Sequence, residues 1–284
     1  MKRLKIVLEM IKFEHTLFAL PFALISMLVA ARGFPGWGTL LWILVAMVGA
    51  RSAAMAFNRL VDREYDAKNP RTAMRALPAG RVTPRFVIGF IVLSSALLVL
   101  AAWQLNLLAL YLSPLALALV FFYSFTKRFT AWSHAWLGLA LAVAPVGAWV
   151  AVRGQLLEAP PLLLGAAVVF WLIGFDTIYA LQDVEFDRSI GLNSLPVKFG
   201  PNRALNIGRL AHGMMVLLLI GVGITAKLGY FWFSSVVICG MLIAVEHSIV
   251  KPDDLKRLNM AFFNINVAVG AILLLSAICE MQFR

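Results

Sequence analysis

Charge vanishes from this chain in long stretches. Uncharged, largely apolar runs occupy residues 15–31, 33–50, 86–126, 129–152, 159–175, 210–226, 228–245 and 258–279. A membrane-crossing helix needs about 20 such residues, so the run from 86 to 126 is long enough for two, with the polar step Gln104-Leu105-Asn106 as the natural break. The pattern predicts an all-α integral membrane protein with nine transmembrane helices. Composition agrees: 62% of the 284 residues are hydrophobic and the mean hydropathy is +0.87, whereas about half the residues of a soluble domain are apolar.

The N-terminus begins with Lys2, Arg3 and Lys5 ahead of an apolar run, as a signal peptide does. Its basic region is too long for that and carries Glu9 and Glu14. Leu4, Val7, Leu8 and Ile11 recur at helical spacing, which predicts a short interfacial helix before the first span. The 25 basic residues are unevenly spread. Four precede the first span, seven lie in 59–85, two are Lys127 and Arg128, four lie in 188–209 and three in 251–257. These twenty fall on one side, against Arg32, Arg153, Lys227 and Arg284 on the other, with Arg51 inside a span. The distribution predicts a multi-pass protein of the cell inner (plasma) membrane, with the N-terminus and the even-numbered loops cytoplasmic and the C-terminus outside. The net charge of +11 therefore describes one membrane face, and nucleic-acid binding is a poor reading of it. Cys239 and Cys279 sit in apolar spans without partner spacing and read as core residues. His15, His134, His212 and His247 are scattered and read as interfacial or helix-end residues.

Against this apolar background one polar pattern occurs twice. NRLVDREYD at 58–66 places Asn58, Asp62 and Asp66 at steps of four, and YALQDVEFD at 179–187 does the same with Tyr179, Asp183 and Asp187. Steps of four share a helical face, where like charges repel unless a cation lies between them. For Asp62, Glu64 and Asp66 the bland alternative is a solvated loop paired with Arg59, Arg63 and Lys68. The second trio argues against it, because carboxylates at membrane depth or its edge are costly and mark function. Arg51 precedes Asn58 by seven residues and Asp176 precedes Asp183 by seven; each trio is followed by a polar segment, LPAG at 77–80 and LPVKFG at 195–200. With no linker in the chain, this predicts a single domain over 1–284 built on a weak repeat of about 120 residues, its two acidic faces opposed across one cavity. Oxygen-rich faces flanked by Arg71, Arg75, Lys127, Arg128, Arg188 and Lys198 suit Mg²⁺ and a polyphosphate, since Mg²⁺ is usually held by one or two carboxylates plus phosphate oxygens and water.

RSAAMAFNRLVDREYDAKNPRTAMRALPAG at 51–80 and DTIYALQDVEFDRSIGLNSLPVKFG at 176–200 closely resemble the two signature segments of the UbiA superfamily of intramembrane aromatic prenyltransferases, and the nine-helix count extends the resemblance to the whole chain. The resemblance implies nine helices around a central cavity open to lipid. It also implies Mg²⁺-dependent transfer of a polyprenyl chain from a prenyl diphosphate to an aromatic acid of the 4-hydroxybenzoate or hydroxynaphthoate type, in ubiquinone or menaquinone biosynthesis. Carried over by position, Asn58, Asp62 and Asp66 form one metal site and Asp183 and Asp187 the second. Tyr179 and Lys127 hold diphosphate oxygens, with Arg71 and Arg128 as weaker candidates. Many members have Asp directly after the Asn; this chain has Arg59, which removes a ligand and resembles a menaquinone-precursor subgroup.

Such chemistry asks for positive charge on the leaving diphosphate and electron-rich walls for an allylic cation. Phe57, Phe121, Phe122, Tyr123, Trp171 and Phe175 lie near the motifs, each ring worth about 0.5 to 2 kcal/mol if it faces the cation. Asp176 is a candidate for the base that removes the ring proton, with a structural partner role as the alternative. Arg51 either binds the acceptor carboxylate or pairs permanently with Asp176; the resemblance favours the former. Haem, chlorophyllide and homogentisate-type rings are the alternative acceptors. An ion-coupled transporter is the rival class, and it requires carboxylates in mid-span rather than at helix ends.

Overall fold

A computed structural model describes residues 6, 7, 9, 11, 16–251, 257, 258 and 260–283. The principal elements are α-helices: α1 (Thr16–Ala31), α2 (Trp37–Val61), α3 (Arg63–Lys68), α4 (Pro84–Leu105), α5 (Leu107–Thr126), α6 (Ser133–Arg153), α7 (Ala159–Ala180), α8 (Val184–Ser189), α9 (Leu195–Phe199), α10 (Pro201–Thr225), α11 (Tyr230–Ile249) and α12 (Asn266–Gln282). Among the described residues eight helical segments are long and apolar enough to cross a membrane, and a shorter apolar helix, Phe18–Ala31, makes nine. The long run divides where expected. Asn106 ends α4 and its Oδ1 accepts a hydrogen bond from the Ala109 N–H (2.9 Å), capping α5. Of the N-terminal segment, Leu4 and Leu8 lie outside the described residues; the Ile11 N–H bonds the Val7 carbonyl and Ile11 is buried.

The chain forms two compact units, one built on Gly36–Phe125, the other on Leu17–Pro35 with Thr126–Arg284. In the first, α2 packs along α4 through small residues. A Cβ on Gly49 would stand 2.8 Å from the backbone of Leu98 and of Ser94, so only glycine lets the two backbones meet there. Ser52, Ala53, Ala56, Ser94, Ala101 and Ala102 continue that seam. Outward faces carry Val92, Tyr111 and Leu115, as a helix bathed in lipid requires.

The second unit centres on α7, which packs against α6 and α10. Its core gathers Phe18, Phe22, Trp171, Phe175, Leu219 and Trp232, all nearly sealed from solvent. Trp171 and Phe175 stand at 0% and 2% exposure, which makes them core residues rather than cavity walls. Polar groups inside this core are bonded to one another. Trp171 Nε1 donates to Asn266 Oδ1 (2.5 Å), and Asn266 Nδ2 is shared among Glu246 Oε1 (3.2 Å) and the carbonyls of Ala261 and Phe262. Those carbonyls belong to a π-helical turn, Met260–Ile265, that Asn266 holds open in front of α12. His212 and His247 meet across α10 and α11 with Nδ1 and Nε2 2.9 Å apart. His212 is buried mid-helix, not at a helix end as its scattered position implied. His15 lies outside the described residues.

Candidate functional site

Both acidic repeats sit where a membrane helix stops. In the first, α2 ends at Val61, Asp62 takes φ −93°, ψ 7°, and α3 begins at Arg63. In the second, α7 ends at Ala180, a 3₁₀ turn covers Leu181–Asp183, Asp183 takes φ −107°, ψ 4°, and α8 begins at Val184. This sparsely populated backbone region recurs at functional sites. The break is slight in the first repeat: the Asp62 N–H still bonds the Asn58 carbonyl (2.9 Å) and the Asp66 N–H the Asp62 carbonyl (2.8 Å). The four-residue ladder thus survives the end of the helix, and Asn58 Nδ2 donates to Asp62 Oδ2 at 2.8 Å.

Asp66 is not a solvated loop residue. It is 7% exposed, and Arg75 Nη1 donates to its Oδ1 at 2.7 Å. Its main-chain carbonyl accepts from the Thr72 hydroxyl (2.9 Å). Oδ2 accepts no hydrogen bond and has Arg59 Nη1 4.0 Å away. Arg59 is itself buried and also donates to Asn58 Oδ1 (3.4 Å). Arg59 therefore braces the first cluster from within. Only Glu64 follows the solvated pattern, as an exposed partner of Arg63 at 3.6 Å. Arg71 is exposed, and its N–H bonds Asn69 Oδ1 (2.9 Å), tightening the turn that delivers Arg75. Arg51 lies half-buried within α2, seven residues before Asn58. Phe57 stacks on Phe121 at 4.4 Å beside the cluster.

In the second unit Asp183 and Asp187 are 8% and 3% exposed. Tyr179 stacks on Phe262 of the π-helical turn, ring centroids 4.1 Å apart. The segment after α8 folds back on Lys127: the Asn193 N–H bonds the Lys127 carbonyl at 2.8 Å, with Asn193 Nδ2 at 3.4 Å from the same oxygen. Arg128 and Lys198 are exposed. Asp176, on α7 seven residues before Asp183, has its Oδ2 2.6 Å from His134 Nδ1. His134 was read as an interfacial residue and is fully buried. Arg59, Arg75 and His134 are the residues that sequence reasoning undervalued; their partners lie in other turns or other helices, where spacing carries no signal.

Among the described residues no three His, Cys, Asp or Glu side chains gather into a ready-made metal cage. The donor set nevertheless fits Mg²⁺: buried carboxylates, Asp66 among them with an oxygen that accepts no hydrogen bond, offer hard oxygen ligands that a phosphate and water complete. The carboxylates stand at helix ends rather than mid-span, which suits a substrate whose charged head enters from water while its tail stays in lipid.

The family model described as the UbiA prenyltransferase family matches residues 19–268. A 4-hydroxybenzoate octaprenyltransferase of Vibrio parahaemolyticus is 34% identical over 258 residues, covering 87% of this chain and 88% of that protein. The apo structure of a UbiA homolog from Aeropyrum pernix K1 is 36% identical, with a TM-score of 0.85 over 94% of this chain and 98% of its own. A UbiA homolog from Archaeoglobus fulgidus, solved bound to GPP and Mg²⁺, shares the fold at a TM-score of 0.71 and 20% identity, over 98% of this chain and 99% of that one.

Proposed function

We proceed from the fact that the chain belongs to the UbiA prenyltransferase family, and propose that it moves a polyprenyl chain from a prenyl diphosphate to the ring of an aromatic acid of the 4-hydroxybenzoate or hydroxynaphthoate type. It is a membrane-embedded prenyltransferase. The observation that carries the reading is the paired acidic turn: the same backbone break at Asp62 and Asp183, each followed by a buried Asp four residues on.

In this reading Asn58, Asp62 and Asp66 hold one Mg²⁺, and Asp183 and Asp187 a second. Lys127 and Tyr179, assisted by Arg71 and Arg128, bind diphosphate oxygens. When bound, Mg²⁺ offsets the charge that grows on the departing diphosphate. The buried guanidinium of Arg59 and that of Arg75 hold Asp66 in place within the cluster. Arg51 binds the acceptor carboxylate, because a guanidinium matches a planar carboxylate with two parallel hydrogen bonds and at membrane depth needs an anion. Asp176 accepts the ring proton. The whole chain works as one domain, with its N-terminus and motif-bearing loops on the cytoplasmic side of the inner membrane, as the twenty-to-four basic bias requires. Reporter fusions after Lys127 and after Lys198 should both behave as cytoplasmic; one appearing outside overturns the topology.

The test is purified protein assayed with a panel of prenyl diphosphates and aromatic acids. A prenylated aromatic acid formed with Mg²⁺ and lost in EDTA supports the reading. Full turnover in EDTA rejects the metal sites, and product formed only with haem-, chlorophyllide- or homogentisate-type rings moves the chain to another acceptor class.

A further inference from the structure

His134 has no place in the chemistry above, yet it is fully buried and bonded at both ring nitrogens. It is the second residue of α6; Nδ1 lies 2.6 Å from Asp176 Oδ2 on α7, and Nε2 lies 3.4 Å from the Leu195 main-chain nitrogen at the start of α9. The Leu195 N–H is one of the donors that a helix start leaves without an intrahelical acceptor, and Ser194 Oγ caps the helix by taking the Val197 N–H (3.3 Å). A main-chain N–H only donates. Nε2 must therefore present its lone pair, and the ring hydrogen of the neutral imidazole resides on Nδ1, aimed at Asp176.

From this geometry we propose that His134 is a positioning residue for Asp176, fixing the carboxylate that takes the acceptor's ring proton. The inference rests on the reading of Asp176 in the preceding section. In that step the ring's π electrons form the bond to C1 of the prenyl group while the C1–O bond breaks with its electron pair on the diphosphate. The ring carbon then gives its proton to the Asp176 carboxylate and the C–H pair restores the aromatic ring. Timing and direction of that last transfer depend on where the carboxylate points. His134 donates one hydrogen bond to Oδ2 and is locked against rotation by the Leu195 N–H behind it. The order of parts is the reverse of a Ser-His-Asp triad, where the carboxylate orients the imidazole; here the imidazole orients the carboxylate and transfers no proton.

The same short segment reaches the diphosphate side. Asn193, two residues before Leu195, holds the Lys127 carbonyl at 2.8 Å. Residues 193–195 thus brace Lys127 directly and Asp176 through His134, so the stretch after the second acidic turn sets two functional groups at once.

The experiment compares His134→Ala, His134→Asn and Asp176→Asn, singly and combined, in protein shown to be monodisperse in detergent. His134→Ala should lower kcat roughly ten- to a hundredfold, as loss of an orienting partner does, with the KM for the prenyl diphosphate within about twofold of wild type. His134→Asn, whose amide offers a donor near the Nδ1 position, should recover most of that loss. In the Asp176→Asn background His134→Ala should cost nothing further. Equal losses for Ala and Asn, or a His134→Ala loss undiminished in the Asp176→Asn background, would overturn the proposal. Wild-type protein labelled with ¹⁵N-histidine provides a check independent of variant folding: the Nδ1–H tautomer is expected at His134, and the Nε2–H tautomer sinks the idea. The underlying reading fails separately. If EDTA leaves turnover intact, the metal-dependent reaction falls whatever His134 does. If EDTA abolishes turnover and Asp176→Asn retains full activity, the proton goes elsewhere and only this proposal and the role of Asp176 fall.

Discussion

The turns Asn58–Asp66 and Tyr179–Asp187 follow the same course and meet different company. Both end a membrane helix, both set their middle Asp near φ −100°, ψ 5° (Asp62 −93°, 7°; Asp183 −107°, 4°), and both bury the last Asp. Around the first stand guanidinium groups, Arg75 at 2.7 Å and Arg59 at 4.0 Å from Asp66. Around the second stand an aromatic stack, Tyr179 on Phe262, and one turn earlier the His134–Asp176 pair. Upstream of the turns the charges also differ: the first repeat has Arg51 seven residues before Asn58, its first member, and the second has Asp176 seven residues before Asp183, its second member. The two turns share the frame that presents carboxylates and differ in what surrounds it. On the proposed reading the difference is a division of labour: a shared demand for metal oxygens, an anion-holding Arg in one repeat, a proton-accepting Asp in the other.

The sharpest way to break that comparison is to remove the shared element from each side. Asp62→Ala and Asp183→Ala should each lower product formation by at least about a hundredfold, the scale on which loss of one transition-state electrostatic partner is felt. Both variants should remain folded in detergent. Near-normal turnover in one of them, measured at saturating Mg²⁺, would mean that the two turns are not equivalent in use, whatever their backbones share.

A smaller and more selective effect is expected where the repeats differ. Arg51→Ala should raise the KM for the aromatic acid by roughly ten- to a hundredfold, corresponding to one charge-assisted contact of about 1.5–3 kcal/mol, and leave the KM for the prenyl diphosphate near wild type. Arg51→Lys should recover little, since an ammonium does not reproduce the planar two-point contact. Equal shifts for both substrates in steady-state kinetics would remove Arg51 from the acceptor site.

The mildest effect is expected from Arg75→Ala. It takes the 2.7 Å donor from a buried carboxylate that, among the described residues, then keeps Arg59 at 4.0 Å as its charged neighbour. Because Arg75 is itself a quarter exposed, water replaces part of what is lost. A destabilisation of about 1–2 kcal/mol, read as a lower thermal midpoint in detergent, should accompany a severalfold loss in apparent Mg²⁺ affinity. No change in either would assign Asp66 a support from elsewhere in the cluster.

Much of this molecule can be read along the chain, because its determinants are local. Span length and hydrophobicity decide the helices, and Asn106, a side chain able to cap the following turn, divides the longest run. The four-residue spacing of Asn58, Asp62 and Asp66 carries through a helix end because the i→i−4 main-chain bonds persist there. The metal-ligand chemistry proposed for them is likewise read from residue type and interval. Which neighbour meets which carboxylate is another matter. Arg75 reaches Asp66 only after a turn shaped by Asn69 and Thr72, and Arg59 was read as a lost ligand until its burial against Asn58 and Asp66 gave it a bracing role. His134 and Asp176 are 42 residues apart, and His212 and His247 are 35 apart. Those pairings depend on helix rotation and separation, which glycines such as Gly49 and Gly174 decide by admitting a backbone or an imidazole where any Cβ would collide. Periodicity names the face a residue occupies; only close packing in three dimensions chooses the group that face meets.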